Sequence, residues 1–134
     1  MELRNAELLT AAHGEVLRRH GVAHVFNSWT EMPPIGTQLD LPWTLGGGGA
    51  GFTVARALMK PGRKYAEAVR RFEPYDQVRE PQPELRRDLL RLMREAHGRG
   101  IEALIHVNNR AEGNTPGTVR ALAEMWAKQA APGS

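Results

Sequence analysis

The sequence predicts an α/β fold in which four parallel strands, each followed by a helix, form half of a (β/α)8 barrel over residues 1–130, with residues 131–134 as a short tail. Three observations predict it. Short apolar runs alternate with longer segments of helical period, the pattern left by parallel strands and helical crossovers. The polar residues of the strands then fall on one side. Glu2 and Arg4 share a face of the first strand and His106 and Asn108 share a face of the fourth, while Leu3, Ile105 and Val107 point the other way. A doubly wound sheet is covered on both faces and reads as nearly continuous hydrophobic strands, so one polar face fits a barrel interior better.

The elements follow in order. Met1 to Arg4 is the first strand, and Asn5 caps a helix that carries Leu8, Leu9, Ala12, Val16 and Leu17 and stops at Gly21. Val22 to Asn27 is the second strand. A proline-containing connection leaves room for a short helix at Ile35 to Leu39. Phe52 to Leu58 is the third strand, and its helix starts after Pro61-Gly62 and runs to Phe72. From Pro83 to His97 the apolar positions Leu85, Leu89, Leu92, Met93 and Ala96 form one helical face, ended by Gly98 to Gly100. Ile101 to Val107 is the fourth strand. Thr115 as cap and Pro116 at the first helical position open the last helix, and the tail from Ala130 is small and polar enough to fray.

A chain of 134 residues with 41% hydrophobic content is sized for one domain with a real core. There is no cysteine, which removes disulfides, thiolate nucleophiles and zinc–thiolate sites. No apolar stretch approaches the roughly 20 residues that span a bilayer, so the expectation is a cytoplasmic protein without membrane contact. The net charge of +3 raises the question of nucleic acid. The arginines, however, are interleaved with acids on helical segments and lack stacking aromatics, which argues for solvated helix faces and against nucleic-acid binding. The glycine run from Gly46 to Gly51 precedes a strand instead of opening a helix, so it is read as a flexible connection and not as a phosphate cradle.

Four stretches, Met1 to Thr10 (MELRNAELLT), Gly21 to Pro34 (GVAHVFNSWTEMPP), Arg71 to Asp76 (RFEPYD) and Val107 to Pro116 (VNNRAEGNTP), resemble the carboxyl-terminal half of the domain-of-unknown-function 72 proteins. The resemblance covers nearly the whole chain. It implies a (β/α)8 barrel in which the four rounds correspond to strands five to eight, in a family whose members have the usual barrel length of about 250 residues. It also implies polar residues at Arg56, Asn108 and Asn109 lining the barrel mouth, and no established activity. A four-stranded half has two unpaired edges. Two copies related by a two-fold axis would pair each first strand with the other's fourth, so a homodimer is expected; the alternative is a monomer whose open face is covered by its own connections.

Barrels work at the carboxyl ends of their strands, which makes Arg4, Asn27, Arg56, Asn108 and Asn109 the candidate ligand-binding residues. The two arginines suit a small anionic ligand, a phosphate or carboxylate gripped by forked hydrogen bonds and oriented by the asparagines. Glu2 and His106 are the candidate acid and base, provided they come within about 3 Å of the reacting group. The competing role for Arg4 or Arg56 is an internal salt bridge to Glu2. No cofactor is expected, and no metal, because no two histidines have ligand spacing.

Overall fold

The computed structural model describes residues 1–130; the tail at residues 131–134 lies outside the described residues. A three-residue 3-10 turn at Ala6–Leu8 precedes α1 (Ala11–His20), β1 (Val25–Asn27), α2 (Ile35–Leu39), β2 (Phe52–Ala57), α3 (Tyr65–Phe72), α4 (Pro83–Gly98), β3 (Glu102–Val107), α5 (Asn109–Glu112) and α6 (Thr115–Ala130). The strands are parallel and lie in the order β1-β2-β3. Their register sets Val25 beside Val54 and Val54 beside Leu104, then Asn27 beside Arg56 and Arg56 beside His106.

The fold is therefore α/β, but the half (β/α)8 barrel is not formed. Among the described residues one open sheet of three strands replaces the expected four. Met1 to Arg4 makes a single parallel bridge, Glu2 to Val25, anchored by the Val25 amide donating to the Met1 carbonyl at 2.8 Å. A local feature stops the ladder there. The Asn5 side chain accepts from the Glu7 amide at 3.1 Å and turns the chain into the 3-10 turn. On the neighbouring segment the Ala23 carbonyl accepts the Met1 amino group, in line with the same parallel pairing, and β1 starts at Val25. Closure of eight strands from two copies has no four-stranded half to start from.

The covered face carries Phe26, Ala55, Ala57, Ala103, Ile105 and Val107. Small side chains at Ala55 and Ala57 let α4 come close, and α4 answers with Leu85, Leu89, Leu92 and Ala96 at three- and four-residue spacing along one stripe. Helices α2 and α6 complete this layer against β1 and β3. Leu3 is buried, so the first residues do present alternate sides. The opposite face carries Val25, Val54, Leu104, Phe52, Glu102, Arg56 and His106, and it stays open: Phe52 is 44% and Leu104 40% exposed.

The remaining helix ends follow local chemistry. Thr10, not Asn5, caps α1 by accepting from the His13 amide at 3.2 Å, and Gly21 ends it in the left-handed conformation. Asn114, not Thr115, accepts from the Gly117 amide at 2.8 Å at the start of α6. The glycine run is a packing device as much as a connection. A Cβ on Gly47 would lie 2.0 Å from the Trp43 carbonyl oxygen and one on Gly48 2.5 Å from the Val22 carbonyl oxygen. No helix among the described residues is long and apolar enough to cross a membrane.

Candidate functional site

Parallel strands end where their connections begin, and the polar residues singled out in the sequence do gather at that end. Glu2 lies between two guanidinium groups. Its Oε2 is 2.5 Å from Arg56 Nη1, and its Oε1 is 3.1 Å from Arg4 Nε in an orientation that makes no hydrogen bond, so the second contact is coulombic. Arg4 also stacks on Trp29, with its guanidinium carbon 4.2 Å from the ring centroid. Each arginine thus faces Glu2, and an anion arriving here must compete with that carboxylate.

Asn27 is fully buried and both ends of its amide are engaged. Its Nδ2 donates to the Leu3 carbonyl at 2.7 Å and its Oδ1 accepts from the Trp29 amide at 3.0 Å. Asn108 caps α5 by accepting from the Arg110 amide at 2.9 Å, and Asn109 Oδ1 accepts from the Thr115 amide at 2.8 Å. These three asparagines hold turns together. His106 is exposed on the open face next to Arg56, while both oxygens of Glu2 are turned to arginines, so the structure does not join the expected acid and base.

Behind this network lies a buried histidine that the strand pattern did not single out. Gln38 Nε2 donates to the carbonyls of Asn27 and Pro33 at 2.7 and 2.8 Å, which fixes its Oε1 toward His24 Nε2 at 3.3 Å. His24 therefore donates from Nε2, and its Nδ1 has no partner among the described residues. Burial is the main cause that lowers its pKa to about 4, so the ring is neutral.

A second place at the same end of the sheet escaped the strand-end rule. A cavity of about 570 Å³ opens beside Ser28, which directly follows β1, and Lys60 and Pro61, which follow β2; its other walls are the start of α2 and the segment from Glu80 to Asp88. That segment is held by Glu112. The Glu112 carbonyl accepts from the Arg79 and Glu80 amides, and its fully buried carboxylate accepts from the Gln82 amide at 2.7 Å, from Thr118 Oγ1 at 2.8 Å and from Arg86 Nη2 at 2.7 Å. No family model, curated protein or solved structure matches the chain.

Proposed function

We propose that the chain acts as a self-associating α/β module in which two copies pack the open faces of their sheets together. The observation that carries this reading is the apolar centre of that face: Val25, Val54 and Leu104 stand in register with Phe52 beside them, and none of the four is buried. A sheet with one apolar face in water gains by covering it, at roughly 25 cal/mol per Å².

Charge favours a second copy as the cover. On β3 the same face carries Glu102 at one end and His106 at the other, with Arg56 beside His106. A two-fold axis running across the strands lays Leu104 on the other copy's Leu104 and each Glu102 toward the other copy's His106 and Arg56. The surface is then self-complementary, as an isologous dimer requires. Its footprint, from strand spacings of about 4.8 Å and rises of about 3.3 Å per residue, is about 300 to 400 Å² per copy. That is well under the roughly 800 Å² of a standard partner surface, so the dimer belongs to the weak class.

Sedimentation velocity over rising concentration tests the reading. The expected result is a monomer at low micromolar concentration that shifts reversibly toward a dimer near 100 µM, about 5 kcal/mol of association, with Leu104→Asp remaining monomeric. A chain that stays monomeric at several times that concentration contradicts it, as does a dimer that Leu104→Asp leaves intact.

A further inference from the structure

We propose that the cavity at the carboxyl ends of β1 and β2 is a binding site for a small carboxylate with an apolar body. The proposal is independent of self-association, because the cavity opens on the side of α2 and α4 and not on the open face. Its place is where open α/β sheets take ligands, just past the carboxyl ends of strands. Its volume of about 570 Å³ falls within the ligand-sized range.

The walls are apolar and stiff. Pro34, Pro61, Pro81 and Pro83 line it together with Ile35 and Leu85. A proline contributes a fixed φ and no amide donor, so these four positions give a preformed surface with little to desolvate. The charged lining is mixed, three carboxylates (Glu80, Glu84, Asp88) against two cations (Lys60, Arg87), so what decides is which groups are already held. Ser28 is only 2% exposed, and its Oγ accepts from the Leu58 amide at 2.8 Å, which leaves its hydroxyl proton without an acceptor among the described residues. Lys60 brings an ammonium. Glu80 depends little on that charge, because Arg63 holds both of its oxygens at 2.8 Å and Arg71 reaches it at 2.6 Å, whereas Lys60 makes only a long contact at 3.5 Å. The Arg63 hydrogen bond is also the main cause that keeps the Glu80 carboxyl below its ordinary pKa, so it stays ionised and paired.

The start of α4 adds to the same sign. Gln82 makes no side-chain cap, its amide group being turned to the Ala111 carbonyl, so the first-turn amides after Pro83 point outward uncapped. Two acids share the wall with Arg87. Asp88 is held by the Gly36 amide at 2.8 Å, and Glu84 is exposed. The groups of the lining left with spare capacity are thus the Ser28 hydroxyl proton, the loosely held Lys60 ammonium and the uncapped first-turn amides, while Glu80 and Asp88 are held and Glu84 is exposed. Spare donors select an acceptor, one loosely held cation matches one negative charge, and the proline surface selects a hydrocarbon body.

Phenylacetate titrated into the full chain, followed by amide chemical shifts, tests this. The expected result is saturable shifts clustered on Ser28, Lys60, Glu84 and Leu85, with phenylacetamide binding about tenfold more weakly for want of the charge. Lys60→Gln, a change at a half-exposed side chain, should weaken phenylacetate at least about fivefold and leave phenylacetamide unchanged. Inorganic phosphate should give no saturable shift at these amides. The proposal fails if phenylacetate and its amide bind alike, if the shifts fall on Arg4 and Arg56 instead, if phosphate binds better, or if nothing saturates by about 20 mM, the range of the weakest useful fragments.

Discussion

Glu2 and Arg56, far apart in the chain, close an ion pair of 2.5 Å on the open face of the sheet, and this pair ties the amino-terminal segment to the central strand. Arg56 is part of β2, while Glu2 is held by one bridge to β1. The pair therefore adds a side-chain anchor to a segment with little backbone pairing. Because Arg56 is more than a third exposed, solvent screens much of the attraction. Glu2→Gln should lower stability by only about 0.5 to 1 kcal/mol and speed hydrogen exchange at the Val25 amide, whose acceptor is the Met1 carbonyl. Urea unfolding and amide exchange measure the two; an unchanged Val25 exchange rate would show that the pair does not hold the segment.

Arg86 and Glu112 make the opposite case. Glu112 is fully buried and Arg86 is the cation that compensates it. Arg86→Met should cost about 3 kcal/mol or more, since it leaves a carboxylate in the interior without its counter-charge. Glu112→Gln should cost less, about 1 to 2 kcal/mol, because an amide oxygen at the Oε1 position can still accept from the Gln82 amide, while the amide nitrogen at the Oε2 position can donate to Thr118 Oγ1, whose own proton has the Asn114 carbonyl as acceptor. Urea midpoints of the two variants decide; equal losses would mean that shape and not charge governs the site.

His24 predicts an acid limb. Its pKa is about 4 in the folded chain against an ordinary 6.5. Above 6.5 the ring is neutral in both states, so stability there is constant with respect to this group. Between 6.5 and 4 the unfolded chain binds the proton and the folded chain resists it, so stability falls, by up to about 3 kcal/mol in all. Below 4 both states carry the proton and the loss stops growing. His24→Gln removes this term, so the difference in urea stability between the two proteins should change between pH 7 and pH 4 and be flat from pH 7 to 9. A difference that is the same at pH 7 and pH 4 would contradict the burial argument.

The sidedness of the sheet was legible because a period of two is strictly local: Leu3, Ile105 and Val107 turn to the helices and Glu2, Arg56 and His106 turn away, as their spacing implies. Helix α2 was legible at its ends, Ile35 and Leu39, since proline precedes it and a short apolar run sets its length. The fate of the expected first strand was not. Whether Met1 to Arg4 becomes a strand depends on how far it runs beside its neighbour, and the Asn5 cap turns it away after a single bridge. Asn108 and Asn109 were read as mouth residues, although the step from Asn108 to Gly113 also spells the cap and left-handed end of a short helix, which is what forms. The glycine run was read as slack, yet at Gly47 and Gly48 the Trp43 and Val22 carbonyls leave no room for a Cβ. The cavity had no local signal at all, because Ser28, Lys60 and Glu80 are brought together only by the fold.

The chain has no cysteine, so a single introduced thiol reports one position. If two copies meet across a two-fold axis at β3, Leu104→Cys places two thiols across a sheet-to-sheet gap of about 10 Å, too wide for a direct disulfide but within reach of a short bis-maleimide crosslinker. Val119→Cys, 48% exposed on α6 and away from the sheet, is the control. With a short bis-maleimide at about 100 µM protein, near the expected dissociation constant, Leu104→Cys should form the crosslinked dimer much faster than Val119→Cys. Equal rates at the two positions would contradict association through the open face.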